Sequence, residues 1–229
     1  MRCDRRHMRL YAVTDRAWLG SRTLCEQVEA ALKGGVTCVQ LREKELEEEE
    51  AFLQEARELC ALCRRYGVPF LVNDRVDIAL ASGADGVHVG QEDMDPAQVR
   101  LRAGEDLILG VSVHTVEEAR EAVRKGADYL GVGAVFPTGT KADAERVPEQ
   151  MLRDICAAVD VPVVAIGGLN RDSIPRLSGS GVDGAALVSA IFSAEDIEGA
   201  CRELRALSER LAEPLPGGPG QGNGKESVR

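Results

Sequence analysis

Eight short apolar runs recur along this chain, at 10–13, 38–41, 69–72, 86–89, 107–111, 129–132, 162–166 and 184–188. Each is followed by a stretch with helical character, at 23–33, 47–66, 76–82, 96–102, 116–125, 148–159, 173–177 and 194–211. Runs this short, with Gln40 and His88 their only polar members, suit parallel strands buried on both faces. Strict alternation of strand and helix points to βα units.

Three segments, Gly-Ala-Asp at 83–85, Gly-Ala-Asp at 126–128 and Gly-Val-Asp at 181–183, repeat one signal: a helix stop, then a strand. The strands also end alike, in polar residues. Arg42 and Lys44 follow the second, Asn73 and Asp74 the third, Gln91 and Asp93 the fourth, and Ser112 the fifth. Thr138, Gly139, Thr140 and Lys141 follow the sixth, Gly167 and Gly168 the seventh, and Ser189 the eighth. An open doubly wound sheet concentrates its polar residues at one switch point. Polar ends spread over most βα loops favour closure, so the expected fold is α/β, a single (β/α)8 TIM barrel with its chemistry at one mouth.

The 229 residues suit one such domain, which uses about 200–250. The expected organisation is a loose N-terminal extension at 1–8, a barrel at 9–213 and a disordered Pro/Gly-rich tail at 214–229. A net charge of −10 disfavours nucleic acid and anionic membrane surfaces as partners. It leaves room for a few cations focused in one cleft on an anionic small molecule. Seven irregularly spaced cysteines argue against a disulfide framework. Neither a signal peptide nor a membrane span is legible, so a cytoplasmic protein with reduced thiols is expected. A homo-oligomer is left open.

Several groups carry candidate chemistry. Asp74 and Asp93, with the Asn73 amide beside them, suit Mg²⁺, which takes one or two protein carboxylates and keeps water or phosphate oxygens. The same aspartates also suit helix caps near Val76 and Pro96, and the two roles do not exclude each other. Gln40, Arg42 and Lys44 alternate and so share one side of their strand. A cation there needs an anion, whether a ligand or Glu43 and Glu45. Thr138, Gly139, Thr140 and Lys141 combine hydroxyls, a turn and a cation, in a loop that could close over the mouth or be an ordinary connection. Gly167 and Gly168 after strand seven and Val188 and Ser189 after strand eight suit the barrel phosphate site, unless the two glycines are only a turn. His88 reads as a packed histidine. Cys60 and Cys63 lie inside a helix, where a redox role is disfavoured.

Taken in order, Tyr-Ala-Val-Thr-Asp at 11–15, Gln-Leu-Arg-Glu-Lys at 40–44, Val-Asn-Asp-Arg at 72–75 and Gly-Val-His-Val-Gly-Gln at 86–91 with Asp93 resemble the thiamine-phosphate synthase family. So do Gly-Val-Ser at 110–112, Phe-Pro-Thr-Gly-Thr-Lys at 136–141, Ala-Ile-Gly-Gly at 165–168 and Val-Ser at 188–189. The resemblance spans about residues 9–207. It implies a Mg²⁺-dependent transferase that joins 4-amino-5-hydroxymethyl-2-methylpyrimidine diphosphate to thiazole phosphate, or its carboxylate, releasing pyrophosphate. It further implies that Gln40, Leu41, Arg42, Glu43, Lys44, Asn73, Ser112 and Lys141 hold the pyrimidine diphosphate, with Arg42, Lys44, Ser112 and Lys141 catalytic. Asp74 and Asp93 would hold Mg²⁺, and Thr138, Gly139, Thr140, Gly168, Val188 and Ser189 the thiazole phosphate. The segment 142–146 departs from the Gly- and Pro-containing continuation expected of this loop. The alternatives are a thiazole tautomerase of the same fold and a non-catalytic phosphate-binding barrel. The tautomerase needs neither two metal carboxylates nor a full diphosphate site.

Overall fold

The computed structural model describes residues 3–44, 48–138 and 146–212. Strands β1 (Leu10–Val13), β2 (Cys38–Leu41), β3 (Phe70–Asn73), β4 (Gly86–Val89), β5 (Ile108–Val113), β6 (Tyr129–Val132), β7 (Val163–Ile166) and β8 (Gly184–Leu187) pair in sequence order, all parallel. β8 pairs back onto β1, which closes the barrel. The expected (β/α)8 fold is therefore the observed one.

The helices are α1 (Leu24–Lys33), α2 (Glu49–Tyr66), α3 (Val76–Ser82), α4 (Pro96–Ala103), α5 (Val116–Arg124), α6 (Glu149–Ala158), α7 (Ser189–Phe192) and α8 (Ile197–Glu209). Side-chain caps explain the starts of α1, α4, α5 and α8. Thr23 and Glu26 form a reciprocal capping box at α1. Thr115 accepts from the Glu118 N–H at α5, but the Glu118 carboxylate reaches the His114 N–H rather than closing a box on Thr115. Asp95 caps α4 with Pro96 at its first position. Two expectations change. The segment expected to be helical at 173–177 is a 3₁₀ turn, Ile174–Leu177, and the short α7 precedes α8.

The repeated aspartates lie at the end of the barrel opposite the mouth. Asp85 Oδ2 accepts the Phe70 N–H at 3.0 Å, Asp128 Oδ2 the Leu109 N–H at 2.8 Å, and Asp183 Oδ2 the Val163 N–H at 2.9 Å. Their own N–H groups return to the carbonyls of those same residues. Thr37 does the same to Leu10. Each even strand is thus clamped to the odd strand before it, and buried backbone groups at the barrel floor find partners.

Residues 3–8, expected to be loose, sit on that floor. Arg5–Met8 forms a 3₁₀ turn capped by Asp4, Arg5 pairs with Asp183 at 2.7 Å, and Met8 is buried. The physical reason is apolar: Met8 joins Tyr11, Val13, Cys38, Leu71, Ile108, Tyr129, Val164 and Ala186 in the core inside the barrel. The larger core lies between strands and helices and includes Leu41, Val72, Val87 and Leu109. No helix of the described residues is long and apolar enough to cross a membrane.

Candidate active site

The mouth is built from the C-terminal ends of β2 to β8. Side-chain alternation sorts the segment after β2. Gln40 faces inward, whereas Leu41 packs in the outer core. Arg42 lies 3.7 Å from Asp15 of the first βα loop. Glu43 is turned away: its nearly inaccessible carboxylate binds Arg16, which also holds Glu55 at 2.7 Å. Asp15 and Arg16 therefore brace Arg42 and Glu43 in crossed pairs. The side chains of Leu41 and Glu43 do not join the inward-facing group expected to bind ligand.

Lys44 Nζ lies 2.6 Å from Asp74 Oδ2. Asp74 follows β3 in the left-handed region, φ 62°, the only non-glycine with positive φ among the described residues. Aspartate tolerates that conformation better than most residues, and such outliers cluster at functional sites. Burial pushes the Asp74 pKa up, and the neighbouring Asp93 carboxylate pushes it further against the pull of Lys44. Asp93 Oδ2 also accepts the Gly90 N–H at 2.7 Å. A cavity of about 390 Å³ opens beside the pair, lined also by Arg75, Val76, Asp77, Met94 and Arg102.

Two neighbouring carboxylates open to solvent fit Mg²⁺, which needs few protein ligands and keeps its waters. No group of three or more His, Cys, Asp or Glu side chains poised for a metal occurs among the described residues. Two carboxylates are too few for the closed four-ligand cage of structural zinc.

Inside the mouth, Asn73 and His88 are register partners on β3 and β4, and His88 and Ser112 are hydrogen-bonded at 2.8 Å. Burial pushes the His88 pKa down to about 4, so the ring is neutral. His88 also bonds Tyr129 at 2.8 Å, Tyr129 bonds Tyr11 at 2.7 Å, and Gln40 donates to Tyr11 at 2.8 Å. Sequence reading missed both tyrosines as site neighbours and left His88 as mere packing. The signal was present: in a chain with only three tyrosines, two stand in strands where a buried hydroxyl needs a partner.

Across the mouth, Gly168 has φ 65°, and a Cβ there would come within 2.4 Å of the Pro137 carbonyl oxygen, so the β7 loop packs directly on the segment leading to Thr138. Val188 precedes α7, which starts at Ser189. A short extra helix after the last strand matches the phosphate-binding corner of such barrels. Gly139, Thr140 and Lys141 lie outside the described residues. Cys60 and Cys63 are buried, and burial pushes both thiols up, away from the reactive thiolate. All seven cysteines are unpaired.

Comparison with known proteins gives the family and the fold. The chain is 51% identical over 197 residues to a thiamine-phosphate synthase of Alkaliphilus oremlandii, covering 86% of this chain and 94% of that protein. It is 48% identical over 195 residues to a thiamine-phosphate synthase of Clostridium tetani, covering 85% and 93%. Among solved structures, thiamine phosphate pyrophosphorylase from Pyrococcus furiosus superposes with a TM-score of 0.84 at 43% identity, covering 91% of this chain and 99% of that one. The family described as "Thiamine monophosphate synthase" matches residues 10–191, and the chain belongs to that family.

Proposed function

We propose a division of labour at this mouth for the reaction of the family. The chain is a transferase of thiamine biosynthesis that joins 4-amino-5-hydroxymethyl-2-methylpyrimidine diphosphate to thiazole phosphate, giving thiamine phosphate and pyrophosphate. The observation that carries the proposal is the ion pair of Lys44 with Asp74, against Asp93, at the ends of adjacent strands.

The C–O bond to the diphosphate breaks, and the electron-rich aminopyrimidine ring stabilises the methyl cation left behind. The thiazole nitrogen then attacks that carbon. No strong nucleophile or base is needed, and no Ser-His-Asp constellation is hydrogen-bonded among the described residues of the mouth. Arg42 and Lys44 neutralise the departing diphosphate. Lys141 is assigned the same task by the resemblance alone. Asp74 and Asp93 would hold Mg²⁺, which when bound supplies further positive charge to the diphosphate. Gln40, Asn73 and Ser112 orient the pyrimidine, which keeps the reacting carbon in line. Thr138, Gly168, Val188 and Ser189, with Gly139 and Thr140, hold the thiazole phosphate. The unpaired thiols support a reducing, cytoplasmic setting.

The test mixes the purified protein with both substrates and Mg²⁺ and follows pyrophosphate release and thiamine phosphate by mass. Product that requires all three supports the proposal. Thiazole phosphate bound without any product sinks it in favour of the tautomerase or the silent binder.

A further inference from the structure

Five side chains of the barrel interior form one unbroken hydrogen-bond chain: Gln40, Tyr11, Tyr129, His88 and Ser112. Its middle is shut off from solvent, with Tyr11 and Tyr129 at most 1% exposed. Its two ends, Gln40 and Ser112, belong to the pyrimidine site proposed above. The rings fit because their neighbours are glycines. A Cβ on Gly110 would fall 2.1 Å from the Tyr129 ring, and one on Gly131 would fall 3.1 Å from His88.

The chain has a direction. Gln40 donates through Nε2, so its Oε1 is turned away as a bare acceptor. With Gln40 as donor at one end, the consistent assignment has the Tyr11 hydroxyl donate to Tyr129 and the Tyr129 hydroxyl donate to His88 Nδ1. A neutral imidazole that accepts at Nδ1 carries its proton on Nε2 and donates to Ser112 Oγ. The Ser112 hydroxyl proton is left over as a donor. A lone amide or hydroxyl turns over at little cost. Here a turn at either end sets like groups against each other along the chain, in a low-dielectric interior where such chains reinforce themselves.

We propose that Tyr11, Tyr129 and His88 are positioning residues that fix an acceptor at Gln40 Oε1 and a donor at Ser112 Oγ, and thereby select a 4-aminopyrimidine over its 4-oxo counterpart. The amino group donates to Gln40 and a ring nitrogen accepts from Ser112. A 4-oxo ring places a carbonyl oxygen against the Gln40 oxygen, an acceptor facing an acceptor. Rejection by an unpaired buried polar group is the strongest discrimination that a binding site offers.

The inference rests on the proposed pyrimidine site, and two measurements separate the failures. The first is kcat/KM for the 4-amino and 4-oxo pyrimidine diphosphates in the wild type, Tyr129→Phe and Tyr11→Phe. In either variant preference for the amino substrate is expected to fall about tenfold or more, with the KM for thiazole phosphate unchanged. Two variants guard against one that fails to fold. The second is the ¹⁵N NMR signature of His88 in the free protein, expected to be a single Nε2–H tautomer that becomes mixed in Tyr129→Phe. Unchanged preference in a folded variant, or an Nδ1–H tautomer in the wild type, overturns the inference. A wild type that makes no thiamine phosphate overturns the functional reading and the substrate half of this one, while the His88 tautomer still decides the chain itself.

Discussion

His88 is a base that its surroundings keep uncharged. Its pKa in the fold, about 4, lies below the ordinary histidine value of about 6.5. Between those values the unfolded chain binds a proton that the folded chain refuses. The stability this group contributes is therefore complete above about pH 6.5 and lost as pH falls toward about 4. Urea unfolding at pH 7 and pH 5 checks this: the wild type is expected to lose about 2 kcal/mol more than His88→Gln between them. Asp74 poses the opposite problem, a carboxyl that must lose its proton to serve a cation. Asp74→Ala is expected to lower turnover by about 100-fold with little change in folding, because its partners Lys44 and Asp93 both reach solvent. Steady-state kinetics across a Mg²⁺ titration reads this out, and unchanged turnover would remove Asp74 from the site. The assignments to Leu41 and Glu43 came from the resemblance alone. Alternation along β2 already placed them on the far side from Gln40 and Arg42, and Arg16 confirms that placement for Glu43.

At the scale of elements, strand positions were legible because buried parallel strands are apolar on both faces and tightly punctuated. β1, β4 and β6 begin and end where the apolar runs do. Helix ends drifted by one to three residues, by up to two at α2 and α6, where no side chain caps the first turn, and by three at the start of α8. The short α7 was invisible because four residues carry no periodicity. The repeated Gly-x-Asp signal was legible as punctuation but not as a clamp, because a contact with the previous strand is tertiary. That contact is testable. Asp128→Ala removes the acceptor of the Leu109 N–H and the partner of Arg100 at 2.5 Å. A buried donor left unpaired costs about 1–3 kcal/mol. Denaturant unfolding should show that loss, with the midpoint falling at an unchanged slope.

The whole molecule divides its labour between the two ends of one barrel, as such folds do. The mouth collects strained and titratable groups: a left-handed aspartate, neighbouring carboxylates and a neutral histidine. The floor collects satisfied polarity and apolar closure, with Asp85, Asp128, Asp183 and Thr37 as clamps and Met8 as the plug. This separation predicts that floor and mouth fail independently. Met8 is 1% exposed and touches the inner core, so Met8→Ala leaves a void that packed strands cannot collapse to fill. Large-to-small changes of this kind cost about 2–5 kcal/mol. The same variant leaves Lys44, Asp74, Asp93 and Ser112 untouched at the other end, so kcat and both KM values at a temperature well below unfolding are expected to match the wild type. Thermal unfolding beside steady-state kinetics on one preparation decides it. A variant that melts earlier with intact kinetics places Met8 in the scaffold. A KM for the pyrimidine diphosphate that rises with the loss of stability would mean that the floor transmits strain through Tyr11 and Tyr129 to the mouth, and that the two ends are one mechanical unit.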